Sequence, residues 1–127
     1  ALFRRQKHGH VVAISSVASA RGLPGAGSYS ASKAAIAVYA DAARAELHHS
    51  KIKVTTLYPG YIDTAMNQRM KSRPFLINVE DGARRIANLI ERGVQSAAVP
   101  GFPWAVMMWL LRRLPTFALA RQSPFAE

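Results

Sequence analysis

Val11, Val12, Ala13 and Ile14 form an unbroken apolar run. Without alternation, such a run predicts a parallel strand over residues 10–14 that is covered on both faces. A loop over residues 17–27 follows, punctuated by Gly22, Pro24, Gly25 and Gly27, which favour turns and close backbone approach. Ser28 is placed to N-cap a long Ala-rich helix that runs to His48 or His49. On that helix Ala31, Ala34, Ala35, Val38, Ala42 and Ala45 make one small-residue surface, while Ile36, Tyr39, Ala43 and Leu47 make another. A helix apolar on two sides calls for two partners: its own sheet, and either another helix or a second subunit. Residues 54–58 read as the next strand, which Pro59-Gly60 stops. Strand, helix and strand then form a right-handed crossover in a parallel sheet.

Residues 65–78 are polar, basic and irregular, with Met66, Met70, Phe75 and Leu76 as apolar points. Glu80 and Asp81 open another helix, with Ala83, Ile86, Ala87, Leu89 and Ile90 facing inward and Gly93 ending it. Residues 96–99 fit a last short strand closed by Pro100-Gly101. The dense apolar run of residues 102–114 carries Arg112-Arg113 near its end, and it falls short of the ~20 residues that span a bilayer. Three roles are open to it: capping a pocket, lying in a membrane interface with Trp104 and Trp109 at headgroup level, or packing on another subunit. Beyond Pro115 the remainder to Glu127 reads as a loosely ordered terminus.

A chain of 127 residues, half of them apolar, can form one domain with a modest core. Its first ten residues look like the tail of a helix. Cysteine is absent, which removes disulfides, thiolate metal sites and a cysteine nucleophile, and is compatible with a reducing cytosol. His48 and His49 point apart on a helix and have no third ligand at suitable spacing. Helix-end solvation accounts for them, and no metal is expected. The net charge of +10 invites a nucleic-acid reading. The basic residues are dispersed, however, and no aromatics are interleaved for base stacking. Solvated faces, a phosphate-bearing cofactor and an anionic membrane surface remain as explanations, and no nucleic-acid partner is expected.

Candidate chemistry lies between Ser15 and Lys33. Tyr29 and Lys33 are spaced i, i+4, so on a helix they share a face about one turn apart. An ammonium beside a phenol favours the phenolate and suits the phenol to proton transfer. Ser16, just past the strand's carboxyl end, can hold a substrate oxygen nearby, or merely satisfy loop backbone.

Ile14-Ser15-Ser16, then Tyr29-Ser30-Ala31-Ser32-Lys33, then Pro59-Gly60-Tyr61-Ile62-Asp63-Thr64 resemble successive landmarks of the short-chain dehydrogenase/reductases. The resemblance implies that Ser16, Tyr29 and Lys33 are catalytic, with Ser15 only their neighbour. It also implies NAD or NADP bound by Tyr29, Lys33, Pro59, Gly60, Ile62 and Thr64. Lys33 would bond the nicotinamide ribose, backbone near Ile62 would meet the carboxamide, and Thr64 would touch the carboxamide or the phosphates. Independently, Pro59-Gly60 permits close main-chain approach by a flat ring.

The implied fold is α/β: the C-terminal part of a Rossmann-type doubly wound parallel sheet, with about three strands and flanking helices. The family's Gly-rich pyrophosphate turn, ribose selector and structural Asn find no match here. Residues 1–101 then correspond to the catalytic half of the domain, and residues 102–127 form a hydrophobic, basic tail. The implied activity is hydride transfer between a carbonyl and an alcohol. Residues 65–78 would correspond to the family's mobile substrate lid, and the apolar points of that lid and of the tail lean toward a hydrophobic substrate. A second hypothesis is an inactive remnant acting as an interaction or membrane-interface module. Peripheral membrane contact would run through residues 102–114 and homo-oligomer contact through residues 28–48, with a cytoplasmic or membrane-associated location.

Overall fold

The computed structural model describes residues 1–121. Three strands, β1 (Gly9–Ile14), β2 (Ile52–Pro59) and β3 (Ser96–Val99), form a parallel sheet in the order β1-β2-β3. The helices are α1 (Leu2–Gln6), a 3-10 turn η1 (Val17–Ala20), α2 (Gly27–Glu46), α3 (Val79–Arg92), α4 (Gly101–Leu111) and α5 (Thr116–Ala120). The α/β class and the three strands with flanking helices are as the apolar runs predict.

β2 is the centre of the sheet because its pattern allows burial on both faces. Val54, Thr55, Thr56 and Leu57 are all buried. The threonine hydroxyls would be costly there unless bonded. Thr55 Oγ1 donates to Val94 O and contacts His10 Nε2, while Thr56 Oγ1 accepts from Arg44. Arg44 also donates to Val54 O and Gln95 O, so a single guanidinium ties α2 to β2 and to the start of β3.

β1 departs from the expected two-sided burial. Ala13 is buried, but Val11 and Ile14 are 42% and 44% exposed. The reason is position: among the described residues β1 pairs only with β2 and forms the sheet edge.

Helix α2 begins earlier than Ser28 and ends before His48. Ala26 is its N-cap, without a side-chain bond. The turn closed by Ala26 N–H on Leu23 O runs directly into the helix, so no capping hydroxyl is used and Ser28 lies in the first turn. At the far end Leu47 is the C-cap, and three-residue turns such as Ser50 N–H to Leu47 O replace the helical ladder.

The faces of α2 are also rotated from the expected ones. Ser30, Ala37 and Ala40 are its buried residues, whereas Ile36, Val38 and Tyr39 are exposed. Small residues win the inner face because the helix lies close on the sheet, where Ala40 meets Ala13 and Val54 and is flanked by Ala43 and Leu47.

In α3 the Asn78 side chain caps the Asp81 N–H, and Gly93 ends the helix in the left-handed region at φ 62°. Gly82 is its buried residue, set against the Ile62 side chain. Ala83 and Ala87, expected inward, are exposed, since the helix leans on β3 through the flank carrying Ile86, Leu89 and Ile90.

The apolar tail packs inward through α4. Trp104 and Met108 join Val17 in a second buried cluster beside Tyr58, Tyr61 and Ala98. The residues after Pro115 are not a loose terminus as far as Ala120. They form α5, anchored by buried Leu119, and the remainder of that expectation, residues 122–127, lies outside the described residues.

Candidate active site

The parallel register sets β1 and β2 side by side from Gly9↔Ile52 to Ile14↔Leu57. Both strands therefore end at one edge of the sheet, where ligands of such folds bind. The Ser15 N–H extends this ladder by donating to Leu57 O at 2.8 Å.

Ser15 and Ser16 are both buried, but their hydroxyls do different things. Ser15 Oγ donates to the Lys33 carbonyl at 2.7 Å, which pins the strand end to the turn of α2 that carries Tyr29 and Lys33. Ser16 Oγ accepts from the Ala18 N–H at 3.1 Å and caps η1. One lone pair is engaged, and its O–H stays available as a donor.

Tyr29 is 43% exposed near the start of α2. Lys33 Nζ sits 5.9 Å from the Tyr29 ring centroid and donates to Ile14 O at 3.2 Å. An ammonium has three donors, so two remain for a ligand.

Ser16 and Tyr29 line a cavity of about 380 Å³ together with Leu23, Tyr61, Met66 and Trp104. Lys33 lies beside the cavity, behind Tyr29, and is not part of its wall. A larger and more open hollow of about 610 Å³, lined by Arg4, Lys7, His8 and Lys51, lies at the opposite edge, where the strands begin. It brings together none of the candidate catalytic groups.

The Pro59–Thr64 stretch is only partly drawn into the site. Pro59 is the last residue of β2, paired with Val99. Gly60 lines the cavity, yet the close approach that its missing side chain permits is made by protein. A Cβ there would meet Trp104 Nε1 at 2.1 Å. The expected flat ring over Gly60 is thus, in this structure, an indole. Ile62 bridges to Ile77, and its carbonyl accepts from Asn67 Nδ2 at 2.7 Å. Among the described residues no hydrogen bond engages the Ile62 N–H. The Thr64 N–H is 3.4 Å from Asn67 Oδ1. Asn67 therefore folds the 62–67 turn back on itself and lines the cavity. The sequence reading missed it, although an Asn closing a turn by side-chain bonds to nearby backbone is a recognisable local signal.

The tail supplies the roof. Trp104 packs on Tyr61 (centroids 6.0 Å) and edge-on to Phe75 (5.6 Å), and Leu111 reaches the same cavity. The Trp104 indole N–H is buried without a partner among the described residues. Behind this cluster, burial pushes the Tyr58 phenol above its ordinary range. The Asp41 carboxylate adds to that, and Arg112 and Arg44 oppose it. Taken together, the site offers one free hydroxyl donor and one accessible phenol backed by an ammonium, on an apolar chamber. That set can bind a carbonyl or alcohol oxygen and exchange a proton with it.

Residues 1–74 match the family model described as short chain dehydrogenase. An uncharacterized oxidoreductase of Mycobacterium tuberculosis is 37% identical over 115 residues, which make up 90% of this chain and 46% of that protein. Among solved structures, a short chain dehydrogenase from Burkholderia cenocepacia in complex with NADP aligns with TM-score 0.74 at 26% identity. That alignment covers 94% of this chain and 50% of that one. A short chain dehydrogenase from Mycobacterium paratuberculosis bound to NAD aligns with TM-score 0.58 at 26% identity, covering 76% and 45%. The chain thus spans about half the length of these relatives.

Proposed function

The chain belongs to the short-chain dehydrogenase family, and from that premise we propose that it carries the catalytic half of an NAD(P)-dependent oxidoreductase interconverting a carbonyl and an alcohol. The observation that carries this reading is the meeting of Ser16 and Tyr29 on one apolar cavity, with the Lys33 ammonium 5.9 Å from the Tyr29 ring. In the direction of reduction, the Ser16 O–H donates to the substrate oxygen and fixes its position. Tyr29 gives its phenolic proton to that oxygen as the alcohol forms. Lys33 sets a positive charge 5.9 Å from the ring centroid of the phenolate left behind. In oxidation the same groups run backwards.

The residues present fit a nicotinamide. The Ile62 N–H, which has no hydrogen bond among the described residues, would donate to a carboxamide oxygen, Lys33 would give its remaining donors to ribose hydroxyls, and Thr64 would offer its hydroxyl. When bound, that group supplies or accepts the hydride. Gly60 lines the same cavity and also seats the Trp104 indole. NADP and NAD each accompany a similar solved structure, and the reading extends to either. Met66, Met70, Tyr61 and Trp104 line the chamber, which supports an apolar substrate body around the reacting oxygen.

The test joins this chain to the preceding half of the Mycobacterium tuberculosis relative and follows oxidation of NADH and NADPH by apolar ketones. Tyr29→Phe is expected to lower kcat by about 100-fold or more, and Ser16→Ala and Lys33→Ala to lower it substantially. A Tyr29→Phe chimera as active as its parent removes the proposed chemistry.

A further inference from the structure

Helix α4 is apolar all round, yet the fold covers only one side of it. Trp104, Met108 and Leu111 turn inward onto the second buried cluster and the cavity. At about 100° per residue, Val106, Trp109 and Leu110 fall on the opposite side. They are 50%, 53% and 41% exposed. Phe102 before them and Phe117 on α5 are also apolar and are 83% and 68% exposed. An unpartnered apolar helix face of this kind marks an interaction surface.

Charge selects the occupant. From Gly101 to Arg121 the charged residues are Arg112, Arg113 and Arg121, with no Asp or Glu. The Arg113 guanidinium stacks 4.1 Å from the Trp109 ring centroid and donates to Trp109 O at 3.2 Å. An aromatic body with a cationic tip, set beside aliphatic side chains, matches the boundary between acyl chains and anionic headgroups. No helix among the described residues is long and apolar enough to cross a membrane, so the contact lies in the surface plane.

We propose that the outer face of α4 and α5 docks on an anionic lipid bilayer. The inner face of α4 roofs the cavity, so docking brings that roof to a surface where apolar molecules collect. The proposal stands independently of any catalysis.

The test is co-sedimentation of the full chain with phosphatidylcholine vesicles, with and without phosphatidylserine, while tryptophan emission is followed. Binding is expected to require phosphatidylserine, to weaken with added salt, and to shift tryptophan emission to the blue, a shift absent from a Trp109→Phe variant. Arg113→Gln with Arg121→Gln is expected to weaken binding about fivefold per arginine. Val106→Ser with Trp109→Ser and Leu110→Ser is expected to abolish it with the circular dichroism unchanged, since all three residues are exposed. The arginine variant tests the idea even if the serine variant misfolds. Binding equal on phosphatidylcholine alone overturns it, as does no binding. So does a concentration-dependent dimer that the serine variant dissolves without any lipid response.

Discussion

Gly60 shows how one hydrogen atom places the tail. Any side chain at this position would overlap the Trp104 indole, since even a Cβ would come within 2.1 Å of its Nε1. Gly60→Ala must therefore push out either the indole or the end of β2, at a cost of about 1–3 kcal/mol. A lower urea midpoint and altered Trp104 emission, read in a Trp109→Phe background, are the expected outcome; an unchanged midpoint refutes the packing. Tyr58 makes a second test through pH. Its folded-state phenol is raised by burial and by Asp41, so above about pH 10 the unfolded chain loses its proton first. The unfolded state then binds fewer protons, and stability falls as pH rises until the folded phenol also ionises; below that window the group contributes no slope. Tyr58→Phe should flatten this alkaline decline in urea titrations. The two cases also show what a sequence carries at this scale. Tyr29 and Lys33 were legible because i, i+4 is a local relation. The Gly60–Trp104 contact was not, because its partners are distant along the chain and only the fold joins them.

At the scale of elements, the boundaries that failed are those where a turn runs into a helix. Ser28 has the chemistry of an N-cap, but the Leu23–Ala26 turn delivers the chain already coiled. The identities of the three strands, α2 and α3 followed from apolar runs and local signals, while the inward face of α2 did not, because an Ala-rich helix has several faces small enough to lie on a sheet. Arg44 decides which one does. It reaches Val54 O, Thr56 Oγ1 and Gln95 O from α2, and Thr56 is fully buried. Removing the guanidinium leaves Val54 O and Thr56 Oγ1 without this donor, while Gln95 O keeps the Thr56 N–H, at about 1.5–3 kcal/mol for each lost bond to a charged group before relaxation. Arg44→Ala should lose at least about 3 kcal/mol of unfolding free energy. Arg44→Lys should recover little, because a single ammonium cannot reproduce the fork. Full stability in the lysine variant would show that charge alone, rather than the planar geometry, holds α2 in place.

At the scale of the whole molecule, two opposing forces meet at β1. Val11 and Ile14 stand 42% and 44% exposed on a strand that is the edge of the sheet among the described residues. An apolar edge with open backbone groups invites pairing with another chain. A net charge of +10 on 127 residues resists it by mutual repulsion. Repulsion between molecules is screened over about 10 Å at 0.1 M salt, whereas strand pairing is short-ranged and survives. Light scattering of the isolated chain should therefore show association rising with salt, the reverse of what ion-pair-driven association would do. Val11→Lys places a charge on the edge itself and should hold the chain monomeric at the same salt, with its urea midpoint nearly unchanged because the side chain it replaces is half in water. If Val11→Lys associates as the parent does, the contact lies elsewhere, and the exposed Ile36, Val38 and Tyr39 of α2 become the surface that salt uncovers.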